Sequence, residues 1–182
     1  MKLIVGLGNP EKRFRNTRHN TGFLVVEELA GILNDSGSGR WGVDRRVESE
    51  VSRLSTINYQ LFLAKPCASM NSSGKVVGNL VRWLKVGLDD LLLVHDDLDL
   101  SLGDFRLQKG RGAAGHKGVK SAIDALGSKD FWRLRVGIGR PPEGIAVENY
   151  VLESFSRAEL KMLEDLIEGG LVSVVRRWLS KS

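Results

Sequence analysis

Apolar residues along the chain fall into short runs of strand length that alternate with stretches of helical period. Leu3 to Val5 is one such run, and it leads into a segment where Phe23, Val26, Leu29, Ala30 and Leu33 share a helix face. Arg46 to Ser55 alternates with Val47, Val51 and Leu54 inward, and Tyr59 to Lys65 reads as the next strand. Val76, Val77, Leu80, Val81 and Leu84 return to helical spacing. Leu91 to Val94 is apolar throughout, as a strand covered on both faces must be. Val119, Ala122, Ile123 and Leu126 predict another helix, and Arg133 to Ile138 another strand. The last helix opens with Ser156 and Glu159 at capping-box spacing, and its apolar face runs from Leu160 to Trp178. Gly169 and Gly170 are its expected weak point. Strands alternating with helices predict an α/β sandwich with a mostly parallel sheet.

Composition narrows the setting. At 182 residues, with 42% hydrophobic and 27% charged positions, the chain suits one sizeable core. No apolar run approaches the ~20 residues of a membrane span, and "MKLIVGLGNP" reaches Gly and Pro too early for a signal peptide. A lone cysteine, Cys67, fits a reducing compartment, so a cytoplasmic protein is expected. The net charge of +5 is compatible with a polyanionic partner such as nucleic acid. The Gly- and Ser-rich stretch from Asn34 to Arg40 reads as a loop and not as a domain boundary.

Candidate chemistry gathers where strands end. In parallel α/β sheets ligands bind beyond the carboxyl ends of the strands. Four such ends carry "GLGNP", "AKPCASMNSSG", "HDDLD" and "GIGRPP". If the strands are neighbours, Asn9, Asn71 and Asp96 converge. "GLG" opens like a dinucleotide fingerprint, but Glu11 stands where the third glycine belongs, which argues against nucleotide binding. His19, His95 and His116 are the only histidines. Each alone reads more often as a cap or a satisfied hydrogen-bonder than as a catalyst, and a carboxylate such as Asp96 beside His19 would make a base with its orienter. The same aspartates and a histidine could hold a divalent ion, and Cys67 could serve as a nucleophile; neither reading has supporting ligand or motif spacing. "RLQKGRGAAGHKGVKS", residues 106 to 121, reads as a glycine-rich cationic loop entering a helix, able to cradle phosphates. Arg133 and Arg135 at alternate positions would project from one strand face and, with Arg140, extend that surface.

"VGLGNP", "TRHNTG", "MNSSGK", "VHDDLDL", "GHKGVKS" and "RLRVGIGRP", in this order, resemble the motifs of bacterial-type peptidyl-tRNA hydrolases, over residues 3 to about 155. The resemblance implies an α/β fold built as a single-domain three-layer sandwich over residues 1–182, with a mixed, mostly parallel central sheet flanked by helices. It implies a monomeric enzyme, without metal or cofactor, that hydrolyses the ester joining peptide to tRNA. By the same resemblance His19 is the catalytic histidine and Asp96 its partner. Asn9 and Asn71 position the substrate, Phe14 and Met70 line the peptide-facing groove, and His116 and Lys117 lie at the substrate. Arg135, with Arg106 or Lys109 from the glycine-rich loop, resembles a clamp for tRNA phosphate.

The chain departs from the family pattern at three places. Lys117 stands where the family usually has asparagine, so an amide contact is replaced by a charge that cannot accept a hydrogen bond. Ala113 and Ala114 replace common glycines, and Glu11 follows Asn9-Pro10 where glycine is usual. An RNA-binding protein on the same scaffold, without catalysis, is therefore the second reading. Thr17 and Asn20 are expected only to shape the entry of the first helix.

Overall fold

The computed structural model describes residues 1–34, 40–55 and 60–181. Tyr59 and most of the loop expected from Asn34 to Arg40 lie outside them. Among the described residues seven strands form one sheet: β1 (Lys2–Gly6), β2 (Gly42–Asp44), β3 (Ser49–Ser55), β4 (Gln60–Pro66), β5 (Leu91–Asp97), β6 (Phe105–Lys109) and β7 (Trp132–Gly137). Their order is β2-β3-β4-β1-β5-β7-β6. The central strands β4, β1, β5 and β7 run parallel, and β2, β3 and β6 complete the edges antiparallel.

Among the described residues six α-helices cover the two faces: α1 (Thr21–Ile32), α2 (Ser73–Leu84), α3 (Lys117–Leu126), α4 (Val147–Leu152), α5 (Arg157–Leu166) and α6 (Val172–Leu179). Because side chains alternate across a strand, each central strand feeds both layers. Leu3, Val5, Leu91 and Leu93 pack with Val76, Val77 and Leu80 of α2 and Val119 and Ala122 of α3. Ile4, Leu92 and Val94 pack on the other face with Val25, Val26 and Leu29 of α1 and with α5 and α6 through Leu163, Val175 and Trp178. The run Leu91 to Val94 is wholly inaccessible, and each such side chain contributes roughly 1.5–3 kcal/mol of transfer free energy. No helix among the described residues is long and apolar enough to cross a membrane.

Three expectations change in detail. Ser156 does form the capping box with Glu159, but the helix it opens is interrupted by one π-helical turn, Ile167–Leu171, which contains Gly169 and Gly170. The stretch read as a phosphate loop from Arg106 begins as strand β6, paired with β7, because Phe105 and Leu107 pack on the core between polar neighbours. Arg133 and Arg135 do share a face of β7, opposite Leu134 and Val136, but they are buried.

Candidate active site

The carboxyl ends of β1, β4 and β5 lie side by side, and the segments leaving them build one cleft of about 650 Å³. Leaving β1, the chain places Asn9, Phe14 and His19 along the wall; leaving β4, it adds Met70 and Asn71. β5 supplies Asp96 directly, and the start of α3 brings His116 and Lys117. All eight residues expected at the catalytic and substrate positions therefore face one space. The α4 residues Val147, Val151 and Leu152 close its far side, a wall not expected from sequence.

Asp96 is the centre of this cluster. Its carboxylate, 3% exposed, lies 3.0 and 3.1 Å from His19 Nδ1 through its two oxygens, and Oδ1 also lies 2.8 Å from His116 Nε2. Burial by itself would raise its pKa. The adjacent imidazoles of His116 and His19, with their hydrogen bonds, outweigh burial and hold the carboxyl well below the usual carboxylate range. A permanent carboxylate accepts only, so both imidazole nitrogens facing it must donate.

That requirement sets the tautomers. His116 Nδ1 accepts the backbone N–H of Val119 at 3.2 Å, which caps α3 and leaves the ring proton on Nε2 for Asp96. His116 is thus a helix cap, as one reading of each histidine held. His19 Nδ1–H points at Asp96, which leaves Nε2 as the unprotonated nitrogen. His95 lies behind them, its ring 4.9 Å from that of His116, and its Nδ1 donates to the Asp96 carbonyl at 2.7 Å. Burial, with His116 beside it, pushes the His95 imidazole down to about 3, so it is neutral near pH 7.

Asn9 is fixed from three directions. Its N–H donates to Asn20 Oδ1 at 2.8 Å, its carbonyl accepts from Asn20 Nδ2 at 2.9 Å, and its own Oδ1 accepts the Met70 N–H at 2.9 Å. With Oδ1 occupied, the Asn9 amide offers its NH₂ to the cleft. Asn20 was expected only to shape a helix entry. Its side chain makes no cap bond, and it positions Asn9 instead. Thr17 likewise turns back, its hydroxyl donating to the Phe14 carbonyl at 2.8 Å. Arg18, between them, is buried under the rings of Tyr150 and Phe155 and paired with Glu159 at 2.9 Å, which ties the His19 turn to α4 and α5.

A family model described as peptidyl-tRNA hydrolase matches residues 3–182. The chain belongs to the peptidyl-tRNA hydrolase family. It is 42% identical over 179 residues to a peptidyl-tRNA hydrolase of Syntrophomonas wolfei, covering 98% of this chain and 93% of that one. A peptidyl-tRNA hydrolase of Lawsonia intracellularis is 44% identical over 166 residues, covering 90% and 80%. Among solved structures, a variant of the Acinetobacter baumannii peptidyl-tRNA hydrolase superposes with a TM-score of 0.84 at 30% identity, covering 100% of this chain and 95% of that one. The family name thus matches the resemblance read from the six motifs.

The residues expected to meet tRNA phosphate are not gathered in the hydrolase cleft. Arg135 is 3% exposed; its Nε donates to Asp97 at 2.5 Å and its Nη1 to Gln108 at 3.1 Å. Arg133 is spent on the carbonyls of Arg111 and Gly112. The expectation that this pair presents an open cationic surface is therefore corrected: charges facing inward from a strand bind the chain's own oxygens. Lys109 pairs with Asp89 and sits four residues along β6 from Phe105, the register partner of Val136 beside Asp96, or about 13 Å away. Arg106 is exposed on the edge strand.

Two other readings meet the geometry here. Cys67 is exposed but lines a smaller cavity behind Asn9, and burial of its thiol pushes its pKa up, against nucleophile chemistry. His19, Asp96 and His116 offer donor atoms within 4.8 Å of one another, the set that could hold a divalent ion. Each of those atoms already has a hydrogen-bond partner within the cluster.

Proposed function

We propose that this hydrolase cleaves the peptide–tRNA ester with His19 as general base and Asp96 as its orienting partner. The observation that carries the reading is the buried Asp96 carboxylate held 3.0 Å from His19 Nδ1, which leaves Nε2 to take a proton from water. Asp96 supports the imidazolium that forms, and the proton returns to the departing ribose oxygen. An ester is electrophilic already, so the remaining need is a donor for the developing oxyanion. The Asn9 NH₂, aimed by Met70 and Asn20, fills it together with Asn71. Phe14 and Met70 face the peptide, and His116 holds Asp96 from behind. The step uses no metal, because the hydrogen bonds within the cluster already orient His19. Arg106 and Lys109, both exposed on β6, are the cations for tRNA phosphate; Arg135 takes one only if its Asp97 pair opens. We place the enzyme in the cytoplasm, as a monomer whose 182 residues act as one domain.

The test follows acyl release from N-acetyl-aminoacyl-tRNA. The wild-type protein is expected to release it equally with and without a chelator, and His19→Ala to lose roughly 10²–10⁴-fold in kcat. Release no faster than by His19→Ala would leave the non-catalytic RNA-binding reading in place, and a chelator-sensitive rate would overturn the metal-free step.

A further inference from the structure

A second groove, of about 660 Å³, runs between α2 and α3, and two residues, Asn71 and Lys117, line both it and the catalytic cleft. The two spaces are therefore continuous at the substrate end. The groove's charge is one-sided. Lys75 and Arg82 border it from α2, and Lys117 and Lys120 from α3, against the single carboxylate of Asp124. Asp124 is matched by Lys120 at 2.6 Å and Lys75 reaches Glu48, outside the groove lining, at 3.4 Å, so Arg82 and Lys117 carry the positive excess. All four cations are exposed. The floor is low because Gly78 and Ala125 carry almost no side chain; a Cβ at Gly78 would already lie 3.4 Å from Arg82 Nη1.

Resting on the ester-hydrolase reading above, we infer that this groove holds the phosphodiesters of the single-stranded 3′ end of the tRNA, and that Lys117 is the hand-over point into the cleft. Lys75 and Arg82 are seven residues apart on one helix, about 10 Å along its axis, a length that accommodates roughly three stacked nucleotides. A polyanionic strand that must end at His19 needs cations leading up to the ester, which Lys75, Arg82 and Lys117 supply. The lysine at 117, which cannot make the amide contact expected there, supplies instead the charge nearest the last phosphate. Single-stranded RNA is favoured over duplex because the groove sits between two packed helices and opens directly at the reacting end.

The experiment compares three N-acetyl-aminoacyl esters: of adenosine, of the trinucleotide CpCpA, and of whole tRNA. In Arg82→Gln with Lys75→Gln, both on the protein surface, KM for the trinucleotide ester is expected to rise about tenfold with kcat unchanged, the size of two exposed ion pairs. For whole tRNA, whose 3′ strand supplies further phosphates, the slope of log(kcat/KM) against log salt is expected to flatten by about 1.4. Hydrolysis of the adenosine ester, which lacks the phosphodiesters, stays as in wild type. A rise for whole tRNA alone would place duplex in the groove, and an equal rise for the adenosine ester would give these residues a structural role; either overturns the inference. If the wild-type protein hydrolysed none of the three, the ester-hydrolase reading itself would fail, and the two failures are thereby distinguished.

Discussion

Asp96 accepts from two imidazoles at once, and this is what fixes the chemistry of both. A carboxylate can satisfy two N–H donors, whereas a carboxamide has one accepting oxygen and presents an NH₂ to the other ring. Asp96→Asn is therefore expected to turn His19 to the tautomer with its proton on Nε2, where it cannot act as a base. The expected loss in kcat is on the order of 10⁴-fold with the fold retained. His116→Asn separates the second donor from the helix cap. Asparagine still accepts the Val119 N–H as an N-cap, so α3 holds, but its shorter side chain does not reach Asp96. A smaller loss, about tenfold in kcat with an unchanged melting temperature, is expected. Equal losses in the two variants, measured by acyl release and thermal unfolding, would deny His19 its special place.

Helix α1 delivers His19 to the sheet because its first turn touches backbone. A Cβ on Gly22 would stand 2.4 Å from both Leu7 N and the Val94 carbonyl oxygen, and one on Gly6 would stand 2.3 Å from the Gly22 oxygen. Gly31, in the last turn of the same helix, has nothing within 4 Å of such a Cβ. The same substitution is thus expected to act in opposite directions. Gly31→Ala gains up to about 1 kcal/mol from helix propensity, a rise of roughly 2–4 °C in Tm. Gly22→Ala forces the helix off the strands, costing roughly 1–3 kcal/mol or more and lowering kcat as His19 moves from Asp96. Paired melts and rates check both, and a neutral Gly22→Ala would show that the close approach is not needed. The parallel core and α2 and α3 were legible because their apolar periods are unbroken, as in Leu91 to Val94. β6 was hidden because only Phe105 and Leu107 of its five residues are apolar, and glycine and cation density beyond it suggested a loop. Asn20 holding Asn9, and Asp97 holding Arg135, join residues 11 and 38 positions apart. No local pattern announces such partners, so the pairing of His19 with Asp96 was readable from its motifs while the contacts that hold Asn9 and Arg135 were not.

For the whole molecule, the cluster at the cleft sets how stability depends on acid. His95 is neutral in the folded protein down to about pH 3, because burial and its neighbour His116 disfavour the cation, whereas an unfolded histidine binds its proton near pH 6.5. Between those values the unfolded state holds more protons than the folded one, so stability rises with pH and falls as the solution is acidified from about 6.5 toward 3. Asp96 adds to this at the lower end. Its folded pKa is depressed, so the stability it contributes is present above an unfolded value near 3.9 and is lost as pH falls below that. Between pH 6.5 and 5 the Asp96 contribution is therefore constant, and the change in stability contains that of His95. Replacing His95 by asparagine removes a titrating group whose Nε2 has no hydrogen-bond partner among the described residues, while an amide can still donate to the Asp96 carbonyl. His95→Asn is expected to lose less melting temperature than wild type between pH 7 and pH 5, whatever its starting value at pH 7. An identical drop in the two proteins, followed by calorimetry at matched ionic strength, would show that His95 does not link protons to folding.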